Sequence, residues 1–299
     1  MEQNITKNYE NRRYNYTYPT APQYPYNNTQ STYKHNIQSP PSYNIASLPP
    51  PPIIDRSQLF EEFCDEYEIS RKFVEKIAML SDFNIVFIID DSGSMKTPLD
   101  NNSKFETRWD ELKNIVKISI RLATIFNKNG IDLQFLNRKG HENVKSYNNV
   151  EHLFNPAPFG RTPLTEKFNQ VIRKYTPLSK QVLVVIATDG IPTNKYGYPD
   201  IKEFRDALIE KNHSKFYVSF LACSDQKEDI GYLNKLDKKV PNVDTIDDYI
   251  SELREVRKKQ GRNFSYTIGD HVVRLLLGPI CKEMDQLDEK KLILKCHIL

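Results

Sequence analysis

The sequence predicts an α/β chain: a doubly wound, mainly parallel central sheet with helices on both faces, behind a disordered N-terminal head. Two observations predict it. Ile85-Val86-Phe87-Ile88-Ile89 and Val182-Leu183-Val184-Val185-Ile186 are continuous apolar runs, as expected of central strands covered on both sides. The segments around them alternate between helical and strand periodicity, which favours parallel strands joined by crossover helices.

Residues 1–54 hold 9 of the 18 prolines and 8 of the 17 tyrosines and almost no aliphatic runs. Such a composition cannot bury enough apolar area to offset chain entropy, so the segment is expected to be disordered. Pro49 to Pro52 form a stiff spacer to the body.

Residues 57–80 read as two short helices. Leu59, Phe60, Phe63 and Cys64 share one face, and Phe73, Ile77 and Leu80 do so after a break near Glu68-Ile69-Ser70. The first strand begins near Asn84. Over 107–127, Trp109, Leu112, Val116, Ile120, Ala123 and Phe126 recur at spacings of three and four, an amphipathic helix. Asn127 to Gly130 supplies its stop, with Gly130 as the left-handed cap. Ile131, Leu133 and Phe135 alternate with Asp132 and Gln134, a half-buried strand.

A helix over 164–175 turns Leu164, Phe168, Val171 and Tyr175 inward. Helices follow at 201–211 and 227–237, with a strand between them over 216–222. Val240 to Val243 reads as a short edge strand interrupted by Pro241, followed by a charged helix at 246–259. His271 to Leu277 is helical, and Leu292 to Leu294 form a strand or packed extension. The expected organisation is a head at 1–54, a helical pair at 55–81, an α/β domain at 82–260 and a tail at 261–299.

The 299 residues carry a net charge of +3, spread over both signs, which gives no nucleic-acid or anionic-membrane signature. No apolar run reaches the roughly 18 residues of a membrane span. Met1-Glu2-Gln3-Asn4 lacks a signal-peptide pattern. Cys64, Cys223, Cys281 and Cys296 are widely spaced, unlike a disulfide scaffold or zinc module. Cys64 and Cys223 read as core residues. The expected location is the cytoplasm, or a virion if the source is viral.

Three segments bring polar residues to the carboxyl edge of such a sheet, where doubly wound folds bind ligands. They are Asp90-Asp91-Ser92-Gly93-Ser94-Met95, the loop Gly160-Arg161-Thr162-Pro163-Leu164, and Thr188-Asp189-Gly190. Asp90, Ser92 and Ser94 alternate with spacers, so one tight loop can turn three oxygens to a point. Thr162 and Asp189 approach from neighbouring loops. Hard oxygen ligands suit Mg2+, and Mn2+ also fits. Asp91 occupies a spacer position, facing solvent or supporting the ligands from behind. The competing structural reading is that Asp90 and the serines cap the following loop or helix.

This set resembles the metal-ion-dependent adhesion site (MIDAS) of von Willebrand factor A (VWA) domains: Asp-x-Ser-x-Ser, then a distant Thr, then a distant Asp. The resemblance covers about residues 82–260. It implies a Rossmann-like VWA fold with Asp90, Ser92, Ser94, Thr162 and Asp189 as metal ligands. It also implies binding rather than turnover, with a partner's Asp or Glu completing the octahedron. Thr107-Arg108-Trp109-Asp110-Glu111-Leu112 and Gly130 to Asn137 look like an intracellular, mostly uncharacterised branch found in fungi, amoebae and large DNA viruses. Some magnesium phosphatases also start from an Asp after a first strand, but usually carry a second Asp two residues later. Ser92 stands there, and no Gly-rich phosphate loop, GxSxG or HExxH occurs. His141 and His152 read as surface residues of loops. No enzyme is expected. The alternatives are a structural or virion-type scaffold with metal-independent contacts and, behind it, a metal-dependent hydrolase.

Pro19-Thr20-Ala21-Pro22 resembles the peptide bound by ubiquitin-variant domains of the membrane-budding (ESCRT) machinery. Pro40-Pro41-Ser42-Tyr43 resembles ligands of WW domains. Lys295-Cys296-His297-Ile298-Leu299 fits the frame of a prenylation signal, the one route to a membrane expected here.

Overall fold

A computed structural model of the chain describes residues 55–99, 103–224 and 226–285. The head, the motifs at Pro19–Pro22 and Pro40–Tyr43, the segment Leu292 to Leu294 and Cys296 lie outside the described residues.

The sheet has six strands: β1 (Phe83–Ile89), β2 (Ile131–Phe135), β3 (His141–Val144), β4 (Gln181–Thr188), β5 (Phe216–Ala222) and β6 (Val243–Asp247). Their spatial order is β3-β2-β1-β4-β5-β6, parallel except for the antiparallel edge strand β3. The chain therefore runs outward in one direction from β1, then returns and runs outward in the other from β4. The switch point falls between β1 and β4.

The two continuous apolar runs follow from this geometry, because side chains along a strand alternate faces. Phe83, Ile85, Phe87 and Ile89 of β1 join Leu183 and Val185 of β4 in one core. Val86 and Ile88 join Val182, Val184 and Ile186 in the other. The first core is covered by α1 (Arg56–Glu66), α2 (Arg71–Ile77), α3 (Arg108–Phe126) and α9 (Ile268–Leu277), with Val256 of α8 (Tyr249–Gln260). The second is covered by α4 (Leu164–Tyr175), α5 (Ile201–Glu210) and α7 (Leu233–Asp237). In α4 all four predicted inward residues are buried.

Several elements differ from the sequence reading. Leu59 stays exposed and Cys64 is half-buried, so α1 contributes chiefly Phe63 to the core. Gly130 is left-handed (φ 79°) but closes a turn after α3, which ends on extended Asn127. Asp132 is buried, so β2 is covered on both faces; its carboxylate takes the Tyr175 hydroxyl, the Lys174 ammonium (2.7 Å) and the Asn143 amide (2.8 Å). His141 belongs to strand β3, whose first three residues are exposed. The 227–237 segment breaks at Gly231-Tyr232 into α6 (Lys227–Ile230) and α7. Pro241 precedes β6 rather than interrupting it, and 246–248 complete that strand and cap α8.

Helix α9, placed in the tail by the sequence, is buried along its length apart from Ile268. A capping box starts it, with Thr267 and Asp270 each bonding the other's backbone. Asp270 also takes the Ser70 amide at 2.8 Å and the Ser70 hydroxyl at 2.9 Å, clasping the α1–α2 turn to the start of α9. Gly269 lets the two backbones meet: a Cβ there would stand 2.5 Å from the Tyr67 carbonyl oxygen. A short α10 (Lys282–Asp285) follows.

Candidate metal centre

Strands β1 and β4 are adjacent and parallel, with Ile89 opposite Ala187, so the residues that follow each emerge side by side. The Asp90 amide donates to the Ala187 carbonyl at 2.9 Å, extending the ladder one step beyond β1. Asp90 and Asp189 are thereby held at the switch point, both essentially without solvent exposure.

Four of the five expected ligands form one hydrogen-bonded cluster. Asp90 Oδ1 accepts from the Ser92 amide at 2.9 Å, and Asp90 Oδ2 accepts from the Thr188 hydroxyl at 2.6 Å. The Ser92 and Ser94 hydroxyls lie 3.1 Å apart, and Ser94 Oγ donates to Asp189 Oδ1 at 2.8 Å. After Ser92 the chain enters a 3-10 turn over Gly93–Lys96, which anchors Met95 in the core and leaves Ser94 at the exposed rim.

Thr162 comes from the third loop. That loop is tied to the first by Gly93 N to Gly160 O (3.4 Å) and Phe159 N to Asp91 O (2.7 Å). The Thr162 amide donates to Thr193 Oγ1 at 3.1 Å, and its carbonyl accepts from the Thr193 amide at 2.8 Å. Among the described residues no hydrogen bond joins the Thr162 hydroxyl to the other four.

Three further residues shape the centre. Arg108, at the start of α3, reaches Asp189 Oδ2 at 2.8 Å and Ser224 Oγ at 3.0 Å while itself buried. Thr188 occupies Asp90 as described. Asp91 does not face solvent: it is fully buried, paired with Arg138 at 2.6 Å and bonded by the Asn137 amide at 2.8 Å. Arg138 also donates to the carbonyls of Leu153, Pro156 and Ala157, so the Asp91 pair braces the Thr162 loop from behind. Arg108 carried a weak sequence signal as part of Thr107 to Leu112. The Asp91 pair carried none, because its partner lies 47 residues away.

No family model matches the chain, and no curated protein matches it. Among the described residues no group of three or more His, Cys, Asp or Glu side chains forms a metal cluster. The set here is of another kind, two carboxylates with three hydroxyls. Its donor chemistry fits a hard divalent cation. Four of the five residues are linked by hydrogen bonds, and a hydroxyl that donates its proton to one neighbour keeps lone pairs for another. Burial, and then the charge of Asp189, push the Asp90 carboxyl up to about 7, against the opposing bonds from Ser92 and Thr188. A second positive charge beside Arg108 would relieve that repulsion.

Proposed function

We propose that this chain is a metal-dependent protein-interaction module of von Willebrand factor A type. In this reading Asp90, Ser92, Ser94, Thr162 and Asp189 hold Mg2+ or Mn2+ in a MIDAS-type site. The observation that carries it is the joining of Asp90, Ser92, Ser94 and Asp189 into one buried-to-rim oxygen cluster at the switch point of the sheet. Bound metal would supply a Lewis-acidic position for one oxygen from outside, and an Asp or Glu of a partner protein is the ligand that suits it. Ser94, at the rim, stands where the partner arrives. Asp90 and Asp189 supply the negative charge, and Thr188 and Arg108 hold their carboxylates in place. We read an adaptor rather than a hydrolase because Ser92 stands where magnesium phosphatases usually carry a second Asp.

The Arg108–Asp189 pair favours the second reading, a scaffold with metal-independent contacts, because it already neutralises one of the two carboxylates. Calorimetric titration with Mg2+ and Mn2+ decides between them. Saturable binding is expected in the wild type and none in Asp90→Ala/Asp189→Ala. Partner capture from the source cell should then fail in chelator. Capture that survives both chelator and the double substitution establishes the scaffold instead.

A further inference from the structure

A cavity of about 520 Å3 is lined by residues of α3, α8, the α1–α2 turn and the segment leading into α9. Glu111 is one of its lining residues. The residue is only 6% exposed, yet no Lys, Arg or His forms an ion pair with it among the described residues. Oε1 accepts from the Tyr249 amide at 3.2 Å, and no hydrogen bond occupies Oε2 among the described residues. Tyr249 and Tyr266, stacked at 6.2 Å, are among the lining residues, as are Tyr67, Phe105 and several polar side chains. Glu66, also at the cavity, is neutralised by Arg121 at 2.6 Å. Lys104 and Arg257 reach the cavity too. The Lys104 ammonium lies 5.2 Å from the Phe105 ring centre, and Arg257 Nε is directed to the Phe264 carbonyl.

A carboxylate withdrawn from water without an ion-pair partner is costly, and burial, then the charge of Asp248, pushes Glu111 up to about 7 against the opposing Tyr249 amide and the charge of Lys104. A buried carboxylate without an ion-pair partner, in a cavity lined in part by aromatic side chains, can receive an organic cation whose methylenes need apolar surface. We propose that the Glu111 cavity binds an alkylammonium group, such as the side chain of a lysine presented by a partner. The ammonium pairs with Glu111 while its methylenes lie against Tyr249 and Tyr266. This site is separate from the metal centre and does not depend on it.

The test uses n-butylammonium as the probe and n-pentanol as its uncharged counterpart, on the full chain with amide NMR in chelator. Saturable shifts of Tyr249 and Ile250 are expected with n-butylammonium and not with n-pentanol. Glu111→Gln keeps an acceptor for the Tyr249 amide and is expected to weaken binding at least tenfold. Ser265→Trp, at an exposed lining position away from Glu111, is expected to block entry and keeps the test open if Glu111→Gln fails to fold. Equal shifts with n-pentanol, or unchanged binding in both variants, would overturn the proposal. So would the absence of shifts in the wild type, including the case where they emerge only in Lys104→Met, which would assign Glu111 to the chain's own lysine.

Discussion

Asp90 shows how a single buried carboxyl ties stability to binding. Unfolded, an Asp titrates near about 3.9; in the fold, burial and Asp189 carry it up to about 7. The fold thus favours the protonated form. The stability this group contributes is complete below about pH 4 and is lost as pH rises through 7. Asp90→Asn removes that loss. In chelator, its thermal midpoint should exceed that of the wild type at pH 8 by a few degrees, with the gap narrowing at pH 5 and closing below about pH 4. Because metal needs the ionised form, Mg2+ affinity in the wild type should rise between pH 6 and 8, with proton release seen by calorimetry in two buffers.

Arg108 is the counterweight. Its charge beside Asp189 opposes an incoming cation, so Arg108→Gln should tighten Mg2+ binding by about tenfold, an effect of roughly 1.4 kcal/mol. Calorimetry on the variant checks this, and a weaker or equal affinity would show that Arg108 positions Asp189 more than it repels metal. Asp90, Ser92, Ser94 and Asp189 could be grouped from sequence because they directly follow the parallel neighbours β1 and β4; Thr162 instead precedes α4, and among the described residues its hydroxyl makes no hydrogen bond to them. Arg108, Thr188 and the Asp91–Arg138 pair were not assigned these roles, because their meaning depends on partners brought close only by the sheet.

At the scale of elements, legibility followed hydrophobic periodicity. Helix α4 repeats at helical spacing with four inward residues, and its ends fell at Leu164 and Tyr175 as expected. Strand β3 escaped because His141, Glu142 and Asn143 are polar and exposed, and Asn143 adopts a left-handed φ of 55°. A periodic pattern cannot mark a strand that shows one buried residue.

Helix α9 was recognised as a helix, but its charged and polar residues concealed how deeply it lies. His271 on it is fully buried. Its Nδ1 lies 3.2 Å from the Tyr266 hydroxyl, and Nε2 is a buried nitrogen without a partner among the described residues. Burial lowers its pKa to about 3, whereas an unfolded His titrates near 6.5. The depressed value means the stability from this group is complete above about pH 6.5 and is lost as pH falls towards 3. His271→Leu removes that acid sensitivity. The midpoint of acid unfolding, followed by circular dichroism, should move to lower pH; no movement would show that other groups govern the acid limb.

For the whole molecule, the sheet and both helical layers followed from alternating strands and helices, but the closure of the structure did not. Ser70 and Asp270 are 200 residues apart, and no local pattern pairs them. Their two hydrogen bonds, with the close approach at Gly269, join the N-terminal helical pair to the last long helix. A double-mutant cycle of Ser70→Ala and Asp270→Ala, by denaturant unfolding, should give a coupling of about 1–2 kcal/mol. Additive effects would show that the clasp is incidental to packing.

That clasp also sets a timetable. A ribosome adds about 5–20 residues per second, so Ser70 waits roughly 10–40 s before Asp270 has even been made. Throughout that interval α2, with Phe73 and Ile77, lacks its α9 neighbour. A chain whose synthesis stops early leaves α2 without that neighbour, and so carries on its first helices a mark of being unfinished that chaperones and proteases can read.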